Sequence, residues 1–145
     1  RPDDDEHSIK QKVYYATVLG TLQSTLTNFK YLSEDWKNNC EDERLLGVSL
    51  TGICDNLFTG TPSVELQEQL QVWKQVAVDA NKAIAEDIGI KPSAAITCIK
   101  PSGTVSQLVN SASGIHPRHS KFYIRTVRMD QNDSMCKFMK EKGFQ

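Results

Sequence analysis

The residues best suited to chemistry lie between Ile96 and Arg118, in the run ITCIKPSGTVSQLVNSASGIHPR. Here Lys100-Pro101-Ser102-Gly103-Thr104-Val105-Ser106 interrupts an apolar stretch, and an apparent helix start follows near Ser106–Val109. Gly103 lets the backbone come close to a ligand, and Ser102, Thr104 and Ser106 add short hydroxyl donors. Free amides at a helix start point at bound negative charge, helped by a dipole equivalent to roughly half a charge. Lys100 adds a full positive charge nearby. The chemistry this favours is the grip of an anion such as a phosphate. The order of residues is not that of a Walker loop, which needs Gly-x-x-x-x-Gly-Lys-Ser/Thr. By spacing alone, a plain strand-to-helix cap is the commoner meaning of such a turn, and a nucleotide- or phosphate-binding module without catalysis shares it.

Other candidates are weaker. The four cysteines, Cys40, Cys54, Cys98 and Cys136, include no Cys-x-x-Cys pair, which argues against structural zinc. Free thiols of a reducing cytoplasm, mostly buried and structural, fit them better. His116 stands alone in Gly-Ile-His-Pro and reads as a turn residue before it reads as a ligand. Arg118, Lys121, Arg125 and Arg128 form a modest basic cluster, in general a solvated strand face. Trp36 and Trp73 read as core.

The elements around the turn are those of one compact domain of 145 residues, ordinary in composition at 39% apolar and 24% charged. A net charge of −1 gives no broad pull toward nucleic acid or an anionic membrane. No stretch approaches the roughly 18 apolar residues of a membrane span, and no signal peptide is visible. The first residue is Arg1 rather than Met, which reads as a chain processed or excised from something longer.

From His7 to about Phe29 the apolar residues Ile9, Val13, Ala16, Leu19, Leu22, Leu26 and Phe29 recur at helical spacing. The opposite face carries Thr17, Thr21, Ser24, Thr25 and Thr27 and no charge between Val13 and Phe29, which predicts burial against a larger body or a polar cavity. Tyr31 to Arg44 reads as a polar connection, and Leu45 to Phe58 as a strand entering a short helix. Thr61 and Pro62 suit the start of a helix whose stripe is Leu66, Leu70, Trp73, Ala77, Ala80 and Ile84, stopped at Gly89. Ser93–Ile99 reads as a buried strand, Phe122–Met129 as a second, and Asn132–Lys142 as a last helix ended by Gly143. The organisation is thus 1–60 helix and connection, then 61–145 helix, strand, turn, strand, helix. Alternating helices and strands predict an α/β architecture.

KPSGTVSQL followed by SASGIHPR and FYIRTVR resembles the late barrel segment of the adenosylcobalamin-dependent ribonucleotide reductases, most closely the monomeric branch that uses triphosphates. ATVLGTLQSTLTNFKYL and ERLLGVSLTGICDN match that branch in order and spacing, so the resemblance covers nearly the whole chain. It implies a segment of a ten-stranded α/β barrel, in which Ser102, Gly103, Thr104, Val105 and Ser106 bind substrate phosphates. It implies adenosylcobalamin as cofactor, with the stretch holding His116 and Arg118 near it, and a cytoplasmic enzyme. Its partners would be a ribonucleoside triphosphate, the remainder of the reductase chain and a thioredoxin-type reductant. The family's radical cysteine sits in an Asn-Pro-Cys-Gly-Glu motif that this sequence does not contain, so no catalytic residue is assigned and the segment alone is expected not to turn over.

Overall fold

The computed structural model describes every residue except Arg125, Val127 and Gln145. Two long helices carry the core. Helix α1, Glu6–Gln23, starts where the Asp5 carboxylate accepts the Ser8 amide at 2.7 Å. Helix α4, Val64–Asp87, starts where the Ser63 hydroxyl accepts the Leu66 amide at 3.0 Å. The cap is Ser63 rather than Thr61, because Pro62 is held outside the helix. Gly89 closes the far end as expected, donating to the Glu86 carbonyl.

The two helices pack on each other. Ile9, Val13, Trp73 and Ala77 form the core cluster, with Val48, Leu50, Phe58, Leu66 and Ile96 packed against it. Trp73 is 3% exposed and meets Phe58 edge-on at 6.3 Å. The alanines of α4, Ala77, Ala80 and Ala85, are buried and let the helices approach closely. On α4, Leu70 is exposed and Asn81 takes a buried place that the apolar pattern did not assign.

On α1 the buried line is Ile9, Val13, Thr17 and Thr21, four residues apart. The expected apolar stripe holds only for its first two members, and Leu19 and Leu26 stand 67% and 73% exposed. Of the uncharged face expected to be enclosed, Thr17 and Thr21 are buried against α4, Ser24 and Thr27 are half-buried, and Thr25 is exposed. Each threonine satisfies its own hydroxyl, Thr17 donating to the Val13 carbonyl and Thr21 to the Thr17 carbonyl, both at 2.8 Å. The helix stops at Gln23, short of Phe29. Ser24 and Thr25 turn their hydroxyls onto the Thr21 and Leu22 carbonyls, offering the backbone an alternative to helix.

The polar connection after Tyr31 contains a helix, α2, Glu34–Glu43, with acidic residues in its first turn and a left-handed Arg44 at its end. Trp36 on it is 58% exposed, not core. A 3₁₀ turn Ile53–Asp55 leads to α3, Leu57–Gly60, capped by Asn56, whose amide also donates to the carbonyls of Arg1, Pro2 and Asp4. The remaining helices are α5, Val105–Leu108, and α6, Ser134–Glu141.

No strand is assigned among the described residues. Residues 46–48 and 95–98 nevertheless run side by side: Leu46 donates to Ala95, Val48 to Ile96 and Cys98 to Val48, around one parallel bridge between Val48 and Thr97. Ser93–Ile99 is therefore extended but not buried; only Ser93 and Ile96 are half-covered. A parallel pair needs neighbours and cover on both faces, and here one neighbour and one covered face are present. The described part of Phe122–Met129 is irregular and exposed, with Arg125 and Val127 outside the described residues.

Candidate functional site

The Pro101–Ser106 turn rests on two segments, 49–55 and 110–118. Gly52, at φ +71°, donates to the Ala112 carbonyl at 2.9 Å, and a Cβ there would lie 2.6 Å from the Ser111 hydroxyl. Only glycine fits such an approach. The Asp55 carboxylate then accepts the Ala112 amide at 2.7 Å and a forked pair from Arg118, Nε to Oδ1 at 2.9 Å and Nη2 to Oδ2 at 3.0 Å. Arg118 also donates to the carbonyl of the left-handed Asn110 at 2.6 Å. Burial alone would push the Asp55 carboxyl up, but the Arg118 hydrogen bonds and the Ala112 amide outweigh it and hold the pKa below its ordinary 3.8. The hydrogen bond to Asp55 raises that of Arg118 in turn.

Within the turn, Gly103 is left-handed at φ +55° and Thr104 right-handed at φ −77°. Such an alternation aims successive amides to one side, the geometry of an anion nest. The Gly103 and Thr104 amides and the Thr104 hydroxyl make no hydrogen bond among the described residues, and both residues are exposed. Three other expected donors are engaged. Ser106 is fully buried, and its hydroxyl donates to the Gly103 carbonyl at 3.0 Å. The Val105 amide donates to the Ser102 carbonyl at 3.2 Å. The Ser102 hydroxyl sits between two others, 2.9 Å from Thr51 Oγ1 and 3.1 Å from Ser113 Oγ. Helix α5 is one turn long, so the dipole expected from a helix start is small, and the exposed donors left are the Gly103 and Thr104 amides and the Thr104 hydroxyl.

Lys100 does not join the turn. Its ammonium lies against Gly47, facing a groove of about 880 Å³ between α1 and α2. That groove, and a second hollow of about 500 Å³ beside Lys12 and Asn56, are lined by none of residues 102–106. The turn is an outward-facing surface.

His116 is exposed, with Nδ1 3.1 Å from the Ser113 carbonyl. With the Arg118 guanidinium committed to Asp55 and Asn110, the pair forms no cradle for a large cofactor. Lys121 lies over the Phe122 ring at 5.5 Å, Arg128 is exposed, and Arg125 lies outside the described residues. Cys54 and Cys98 are exposed and Cys40 and Cys136 half-buried, so none is the buried thiol expected.

Sequence reasoning missed Thr51, Asp55 and Asn110. Asp55 and Arg118 are 63 residues apart, and nothing local signals their pairing. The one available cue was the Gly52 turn ahead of Asp55.

The adenosylcobalamin-dependent ribonucleoside-triphosphate reductase of Lactobacillus helveticus is 28% identical to this chain in an alignment 137 positions long that covers 76% of this chain and 18% of that protein. The chain is a relative of these reductases. The reductase of the same name from Euglena gracilis is 28% identical and covers 92% of this chain, again matching 18% of the longer protein. A probable member from Dictyostelium discoideum is 30% identical over 106 residues. The resemblance read from the sequence motifs thus holds, and the chain spans less than a fifth of the reductases it matches. No family model matches the chain. No solved structure matches it significantly. No described helix is long and apolar enough to cross a membrane.

Proposed function

We propose that this chain is a segment of a ribonucleotide reductase converting ribonucleoside triphosphates to 2′-deoxyribonucleotides, and that its Pro101–Ser106 turn holds the substrate's phosphates. The observation that carries the proposal is the coincidence of two things. The chain is related to enzymes named for ribonucleoside triphosphates, and its Gly103–Thr104 amides and Thr104 hydroxyl stand unbonded and exposed on a braced turn. The role is one of positioning, holding the anionic tail so that the ribose meets the reacting groups at productive geometry.

Incorporation in a larger α/β barrel is supported by the short parallel pair at Val48 and Thr97 and by apolar surface left uncovered. Leu19, Leu26, Trp36 and Leu45 are all exposed around the groove between α1 and α2, a grouping that ordinarily marks contact with another body. In the full-length enzyme adenosylcobalamin would supply the initiating radical. The Arg118 and His116 contacts seen here do not fit a cobalamin cradle, so this chain's own share is assigned to phosphate alone. Reducing equivalents from a thioredoxin-type partner would likewise enter elsewhere.

Replacement of Thr104 by Ala in the full-length reductase tests the reading. The expected result is a KM for ribonucleoside triphosphate raised about tenfold, the value of one hydrogen bond to a charged oxygen, with kcat and radical formation largely kept. Ser102→Ala is expected to act in the same direction but less, because its hydroxyl is already engaged. An unchanged KM in both variants rejects the phosphate role.

A further inference from the structure

We propose that Thr51 is a positioning residue for the phosphate turn, an inference that rests on the reading of that turn given above. Its hydroxyl lies 2.9 Å from Ser102 Oγ and 3.0 Å from the Ala112 carbonyl, and it accepts the Gly114 amide at 2.9 Å. One side chain therefore touches the turn and, at Ala112 and Gly114, the segment that supports it. A hydroxyl carries a single proton. If Thr51 gives its proton to Ala112, Ser102 must orient between Thr51 and Ser113; if Thr51 gives it to Ser102, Ser102 donates onward to Ser113 at 3.1 Å. In both cases Ser102 is held at two points. It is the residue immediately before Gly103, whose left-handed φ aims the unbonded amides.

Ser102 has no comparable anchor elsewhere among the described residues: its carbonyl accepts the Val105 amide within the turn itself. Gly114 is pinned from the other side as well, since a Cβ there would lie 3.0 Å from the Lys100 carbonyl. The Thr51 hydroxyl thus locks the loop and the turn in one register. Its removal lets Ser102 rotate and spreads the Gly103 and Thr104 amides over several orientations, which weakens the hold on an anion without touching the reacting groups.

The experiment uses the full-length reductase with Thr51→Val, close in shape but without the hydroxyl, and Thr51→Ser, which restores it. KM for ribonucleoside triphosphate and the inhibition constant of inorganic triphosphate are read together with kcat. Thr51→Val is expected to raise both constants about tenfold, the factor for one net hydrogen bond, with kcat within about twofold and Thr51→Ser close to the parent. A purely structural role predicts a lower kcat and a lower folded fraction, with no selective effect on the two anion constants. A folded Thr51→Val with both constants unchanged overturns the proposal. Should that variant fail to fold, Thr51→Ala removes the same hydroxyl with less bulk, and unchanged constants in the folded Thr51→Ala protein overturn it equally. Thr104→Ala separates the two claims: if it raises KM while Thr51→Val does not, only the role of Thr51 falls.

Discussion

Asn81 on α4 and Thr21 on α1 meet inside the protein, with Asn81 Nδ2 donating to Thr21 Oγ1 at 2.9 Å and neither side chain more than 1% exposed. The same amide donates to the Ser93 hydroxyl and its oxygen accepts the Ser93 amide, each at 2.9 Å. One side chain therefore fastens α1, α4 and the start of the extended 93–99 segment. Buried polar groups are tolerated when every partner is present and are costly when one is removed.

Asn81→Ala leaves the Ser93 amide and the Thr21 hydroxyl without this partner. The expected cost is about 1–3 kcal/mol, read as a lower urea midpoint with an unchanged slope. A midpoint equal to that of the parent would show that water replaces the side chain freely.

Gly52 and Gly103 share a left-handed backbone but not its surroundings. An Ala at either position pays the left-handed penalty of about 1–2 kcal/mol. At Gly52 the new Cβ also meets the Ser111 hydroxyl, whereas at Gly103 nothing lies within 4 Å. Gly52→Ala is accordingly expected to lower the melting temperature more than Gly103→Ala. The reverse order would place the strain in the phosphate turn instead of beneath it.

Asp55 makes the brace sensitive to acid. Its pKa is depressed in the folded protein, so the stability it contributes is complete above the ordinary 3.8 and is lost as pH falls below that value through the depressed one. Asp55→Asn should therefore melt below the parent at neutral pH, with the gap closing under acid conditions. Thermal melts of both proteins along a pH series give the comparison, and a gap of constant size contradicts the ion pair.

Much of the scaffold is legible because it is local. Trp73, Ala77 and Ala80 recur at helical spacing, and the helix they define exists. On α1 the same pattern misleads beyond Val13. Thr17 and Thr21 fold their hydroxyl protons onto the preceding turn and so can be buried, Thr21 also accepting the Asn81 amide, while Leu19 and Leu26 are left outward. The charge-free face was a correct signal only at Thr17 and Thr21, since Thr25 is exposed and Ser24 and Thr27 are half-buried. Ser33, Glu34 and Asp35 signal the start of α2, but the helix is too polar for a periodicity reading to find. The turn itself is visible from its glycine and hydroxyls. Which hydroxyls remain free is not, because Ser102 is engaged by Thr51 and Ser106 by the Gly103 carbonyl, and the first of these partners is 51 residues away.

The most direct measurement is a crystal structure of the full-length reductase with a ribonucleoside triphosphate bound. Phosphate oxygens within about 3 Å of the Gly103 and Thr104 amides and the Thr104 hydroxyl are the predicted result. A triphosphate bound elsewhere, with those three donors facing solvent or another part of the protein, would contradict the assignment.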